Sequence, residues 1–314
     1  MVFGSELVLG VLLAVVNGLS LVMVGAFVGG AERHRISNQM MVLVLSTMSL
    51  VFCGGLVCCG AVSELPARQR LFFGSCYLLF GAFNAAMLVV MGRAMRKGPN
   101  AIVWGGTQSG MILPFLCGVI FFGNALTVWR LCGMAAILGA LALYVCTKND
   151  VAADKRDGAA GGLNWRLLMF FSFLLCGINQ ICNNLPSYYA DARQAFTISE
   201  RIVWGNLGQL LCCLAIGGRE PWRRRFWKDL RRPVCWKYIL VWWLVSLFVT
   251  YFISYRSMDL LGAAGAGAIC YPVTVCACIV GFTLYSVAVL REKCTPTILG
   301  AIGLGLLGMV LISW

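Results

Sequence analysis

Acidic residues are scarce in this chain: Asp and Glu number 12, against 25 Lys and Arg, in 314 residues. Charged residues of both signs make up 12%, about half of the roughly 25% that a soluble domain carries. A water-facing surface of ordinary extent cannot be built from that stock. There is one histidine, His34, set in a loop between Arg33 and Arg35. No histidine-rich metal site is therefore expected, and no paired acids stand in the apolar segments for acid–base chemistry. The sixteen cysteines follow neither zinc spacing nor a disulfide framework. Doublets such as Cys58 with Cys59 and Cys212 with Cys213 lie in apolar runs and read as small packing residues. No cofactor and no metal are expected.

What is abundant is hydrophobic length, with 60% of residues apolar. Ten runs stand out, near 6–29, 40–62, 71–92, 99–122, 128–147, 165–187, 198–217, 236–255, 260–284 and 294–314. A helix of about 20 residues crosses a hydrocarbon core of about 30 Å. The runs are continuous and do not alternate apolar with polar, which points to helices and away from barrel strands. The first run has no basic leader or small-residue cleavage site and reads as the first span. The expected fold is an all-α polytopic membrane protein with ten transmembrane helices.

The net charge of +13 would suggest nucleic acid in a soluble protein, but here it follows the loops. With ten spans, nineteen Lys and Arg fall on one side and six on the other. The positive-inside rule places the richer side in the cytoplasm and both termini outside. The chain is expected in a cell (inner) membrane as a multi-pass protein. Its densest basic stretch, 219–237, interleaves Trp222, Phe226, Trp227 and Leu230 with arginines. That composition suits the headgroup level, as a topology anchor or a surface for anionic lipid.

Segments in the two halves match in order. Residues 36–49 align with 198–211, 92–101 with 255–264 and 124–140 with 292–308, at offsets drifting from 162 to 168. Asn17 falls on Asn179 at the first offset. The chain divides into a first five-helix repeat at 1–147, a charged, glycine-rich linker at 148–164 and a second repeat at 165–314. Five is odd, so the second repeat must enter the membrane inverted, with a central site between the halves.

The half-end "LREKCTPTILGAIGLGLLGMVLI" (290–312) and the five-plus-five layout resemble the drug/metabolite transporter superfamily with EamA-type repeats. Glu292, Lys293, Thr295, Pro296, Gly300, Gly303 and Gly308 match that family's closing turn and glycine-rich last helix, and Pro114 matches its fourth-helix proline. The first half departs: Asn124 stands where Glu is expected, and no proline follows Thr127. The resemblance implies a transporter with both termini in the cytoplasm, against the charge tally.

Amide side chains at membrane depth must face protein, water or ligand. Asn179, Gln180, Asn183 and Asn184 cover about 140° of one helix face, with Ser187 inside the same arc. Asn17, Asn84 and Gln108 lie at comparable depth on the first, third and fourth runs, and Gln209 lies on the seventh. Tyr251, Tyr255 and Tyr271 add polar tips. These eleven residues are candidates to line a substrate cavity, although single buried amides also serve as glue between helices. Glu200 and Arg201 form the one adjacent acid–base pair near an apolar run: a candidate coupling or carboxylate site, or simply a helix start. The reading is a secondary transporter for a small polar or zwitterionic metabolite, as monomer or homodimer. An exporter of lipophilic compounds, a membrane-embedded enzyme and a scaffold are the alternatives.

Overall fold

Inside hydrocarbon a backbone must satisfy its own N–H and C=O groups, and a helix does so within one segment. The computed structural model describes residues 5–33, 36–97, 100–152, 165–217, 226–288 and 296–314, and no strand occurs among them. His34, Arg35, most of the linker, the arginines of 219–225 and the Glu292–Thr295 turn lie outside the described residues.

The helices are α1 (Ser5–Arg33), α2 (Asn38–Cys58), α3 (Ala67–Lys97), α4 (Asn100–Gln108), α5 (Ile112–Phe122), α6 (Val128–Ala152) and α7 (Trp165–Asn184). They continue with α8 (Ala190–Ala195), α9 (Ile198–Gly217), α10 (Pro233–Leu244), α11 (Ser254–Ala263), α12 (Cys270–Ala288) and α13 (Pro296–Ile312). A 3-10 turn, Ser109–Met111, joins α4 to α5. It sits just before Pro114, which has no N–H to give the preceding turn. A π-helical stretch, Val245–Ile253, joins α10 to α11, so 233–263 runs as one helix. The expected end of that run at 255 thus moves outward, and the next helix begins near 267.

Among the described residues, six helical segments are long and apolar enough to cross a membrane. They are Ser5–Val24, Gln39–Cys58, Ala67–Met95, Val103–Phe122, Trp165–Tyr188 and Pro233–Ala263. Shorter apolar helices cover Val128–Leu143, Gly267–Gly281 and Leu299–Ile312. Large side chains such as Ile120, Phe121 and Val51 are exposed around the outside, as a lipid-facing surface requires. The protein is an all-α, membrane-embedded bundle.

The packing is set by small residues. Helix α3 lies along both α7 and α9, α1 along α12 and α11, and α6 along α13. At the α3–α9 crossing, a Cβ on Gly81 would collide with the Gly205 carbonyl, and one on Gly208 with that of Leu78. Glycine there lets two backbones touch, which is how apolar helices associate without a hydrophobic driving force between them.

Candidate functional site

Helix α7 carries the polar face. Gly177 sits within reach of the Gly110 carbonyl and Leu113, bringing α7 close to the α4–α5 break. Four amides follow, all buried: Asn179, Gln180, Asn183 and Asn184. Asn179 Nδ2 donates to Asn84 Oδ1 at 3.1 Å, tying α7 to α3. Asn183 Nδ2 donates to the Tyr271 hydroxyl at 2.7 Å and approaches Met258 Sδ at 3.9 Å. Asn184 Nδ2 donates to the Gly267 carbonyl at 3.0 Å and the Tyr188 hydroxyl at 3.2 Å. Gln180 Nε2 reaches only the Cys176 thiol, at 3.3 Å.

The carbonyl oxygens of Gln180, Asn183 and Asn184 are buried with no hydrogen-bond partner. A buried acceptor without a partner costs about 1–3 kcal/mol. The N–H groups of Asn183 and Asn184 tie α7 to other segments, while their oxygens stay open to a partner from outside the chain.

A second group lies on the other side of the tyrosines. Gln209 accepts from Ser46 at 3.0 Å and donates to the Tyr251 hydroxyl at 3.2 Å. Tyr251 stacks with Tyr255, ring centroids 6.1 Å apart, and Tyr255 meets Tyr77 edge to face at 5.4 Å. The hydroxyls of Tyr77 and Tyr255 are buried and unpartnered. Two sequence candidates make no side-chain bond to either group among the described residues. Asn17 is buried on α1, its Oδ1 without a partner and its backbone carbonyl bonded to Ser20. Gln108 ends α4 half-buried and caps nothing.

Glu200 and Arg201 open α9 but serve different partners. The Arg201 side chain is 1% exposed, and its Nη1 lies 2.8 Å from Asp259 Oδ2. Its other nitrogens donate to the carbonyls of Phe196 and Ala192, at 3.0 and 2.9 Å, while the guanidinium carbon sits 5.8 Å from the Tyr255 ring centroid. Asp259 also accepts from the Ser187 hydroxyl at 3.1 Å, and Arg193 donates to the Ser187 carbonyl at 2.9 Å. Glu200 pairs with Arg70 and accepts from the Ser63 N–H at 3.0 Å. Thr197 adds a bond to the Ala61 carbonyl at 3.0 Å. The α2–α3 connection, the α7–α9 connection and the end of α11 are thus laced together at one end of the bundle.

At the opposite end, the Ser37 N–H donates to the buried Asp229 carboxylate at 3.2 Å, linking the start of α2 to a helical turn at 226–230. Trp227 is 60% exposed beside it, as an interfacial aromatic is.

Sequence reasoning passed over Tyr77, Asp259, Met258, Ser63 and Arg70. Tyr77 stands seven residues before Asn84, on the same face of α3, so the signal for it was present. Away from these polar groups, an apolar groove of about 410 Å³ runs between α1, α12 and α13, lined by residues such as Val11, Val273 and Met309.

No family model and no curated protein matches the chain. Among solved structures 27 chains match. One, described only as "Crystal structure of protein", aligns with a TM-score of 0.63 at 12% identity, over 98% of this chain and 96% of that one. The likeness at that identity is one of fold, and it extends over nearly the full length of both chains.

Proposed function

We propose that this chain is a secondary transporter of the drug/metabolite transporter superfamily, with ten spans arranged as two inverted EamA-like repeats. It moves a small polar metabolite, zwitterionic ones included, by alternating access. The observation that carries the reading is the set of unpartnered amide oxygens and tyrosine hydroxyls buried along α7, α3 and α11. A polar group left unsatisfied in the interior needs a partner from outside the chain, and a bound solute or water supplies one.

The helix pairings support the inverted repeat. Helix α1 packs on α12 and α11; its counterpart α7 packs on α4–α5 and α3, which are the matching spans of the other half. The pairs α2–α9 and α6–α13 each join a span to its own counterpart, as elements beside a pseudo-two-fold axis do. The ionic network at the cation-poor end and the Ser37–Asp229 link at the basic end fit closures that open in turn. Substrate-dependent flux into proteoliposomes tests the proposal. A purified, folded chain that passes no member of a panel of amino acids, sugars, nucleosides and amines would overturn it.

A further inference from the structure

The partner atoms of the α7 amides define what the site accepts. Resting on the transporter reading, we infer that the polar face of α7 binds a solute through a protonated primary amine, and that this solute presents no carboxylate there.

The argument starts from hydrogen-bond capacity. Each asparagine amide has two N–H donors and one acceptor oxygen. In Asn184 both donors are engaged, one by the Gly267 carbonyl, which can only accept. In Asn183 both are engaged again, one by the Met258 thioether, also acceptor only. Those partners orient the Asn183 and Asn184 amides. The groups left over are Asn183 Oδ1, Asn184 Oδ1 and Gln180 Oε1, three acceptors, beside the second N–H of Gln180, whose first reaches a thiol.

Gln180 lies three residues before Asn183 and four before Asn184, between them on an arc of about 100° of α7, so the three oxygens belong to one face of the helix. The Tyr77 and Tyr255 hydroxyls, donors or acceptors at need, are the nearby polar atoms without partners. The other unpartnered donor atoms among the described residues are Arg130 Nε in the first turn of α6, whose Nη1 is bonded to Ala125, and the Ser63 hydroxyl of the α2–α3 connection. A carboxylate or phosphate on the patch would face oxygen dipoles of its own sign. A sugar hydroxyl has one O–H to give, against three oxygens, and brings no positive charge. An ammonium group has three N–H donors and no acceptor, which complements three carbonyl oxygens.

Charge agrees with this. Arg201, the cation nearest the tyrosines, is committed to Asp259 and two backbone carbonyls and offers no open anion site. The tyrosine rings add a surface that attracts cations.

The test uses the purified full chain with matched small probes: 2-phenylethylamine, its N-trimethyl derivative, 2-phenylethanol and 3-phenylpropionate, with butylamine, butanol and butyrate as a smaller set. Binding is read by thermal shift and transport by flux into proteoliposomes. The primary amines are expected to raise the melting temperature and to bind at least tenfold more tightly than the alcohol, the acid and the trimethyl form. Gln180→Met and Asn183→Leu should each weaken amine binding about tenfold. Gln180 gives up only its bond to a thiol, so that variant remains informative if Asn183→Leu fails to fold. Equal or tighter binding of an alcohol, acid or trimethyl probe overturns the inference, as does absence of any response to the amines. Amine binding without flux upholds the site and sinks the transporter reading. Flux of other solutes with no amine binding does the reverse.

Discussion

Asp259→Asn removes the charge that Arg201 depends on. Arg201 is 1% exposed and would keep the Phe196 and Ala192 carbonyls, one amide oxygen at position 259 and the Tyr255 ring, none of them charged. Deleting one member of a buried ion pair costs about 3–5 kcal/mol, because the other charge stays behind in a poor solvent. Asp259 is 12% exposed and asparagine still offers one oxygen, which argues for the lower end of that range. Each kcal/mol moves the melting point of a large domain by about 2–4 °C, so a loss near 3 kcal/mol appears as roughly 6–12 °C. Replacing both partners, Arg201→Leu with Asp259→Leu, removes the stranded charge. It leaves the Phe196 carbonyl without its donor, a cost of about 1–3 kcal/mol, while Ala192 keeps its bond from the Phe196 N–H. The double variant should therefore melt above the single one. Scanning fluorimetry of the detergent-purified protein decides it. Asp259→Asn within about 2 °C of wild type, or a double variant less stable than the single, would refute the reasoning.

Asn179→Ala with Asn183→Ala should depress flux at least tenfold while the chain still inserts and elutes as a single species; uptake kinetics equal to wild type would sink the cavity assignment. Gly81→Ala places a methyl against the Gly205 carbonyl, and forcing the helices apart should cost about 1–3 kcal/mol; an unchanged melting point would mean that the α3–α9 crossing yields freely. By the charge tally, a C-terminal fluorescent fusion should be dark and a C-terminal periplasmic phosphatase active in a bacterial host. The opposite result would put both termini in the cytoplasm.

Amides in apolar runs are conspicuous because hydrocarbon penalises them, and so Asn179, Gln180, Asn183 and Asn184 were legible from the sequence. Tyr77 was legible in the same way as Tyr251, Tyr255 and Tyr271, since it shares a face with Asn84, but it was passed over. The π-helical stretch at Val245–Ile253 leaves no mark on composition, since it changes the hydrogen-bond register and not the residues. Partners of charged groups were the weakest point. Glu200 and Arg201 are adjacent in sequence and look like a pair, yet consecutive helical residues point about 100° apart. Each therefore finds its counter-ion on a different helix.

That separation sharpens the question of coupling. The Glu200 carboxylate holds Arg70 of α3 and the Ser63 N–H of the α2–α3 connection, so it joins the first half of the chain to the second at the cation-poor end. Glutamine at this position keeps an oxygen for Ser63 but releases the Arg70 guanidinium, as a protonated acid would. If transport is coupled to a proton at Glu200, Glu200→Gln fixes the carrier in the protonated-like form. Solute exchange needs only the loaded carrier to reorient and should persist. Accumulation against a gradient needs proton release before the empty carrier returns, and should be lost. Both modes are measured on one reconstituted preparation, with exchange serving as the control for folding and insertion. Arg70→Met opens the same contact but leaves the acid able to take up and release a proton, so it should retain accumulation. Intact pH-driven accumulation in Glu200→Gln would reduce the residue to a structural clasp between α9 and the α2–α3 connection, and loss of accumulation in Arg70→Met would assign the effect to the broken contact instead of to the proton.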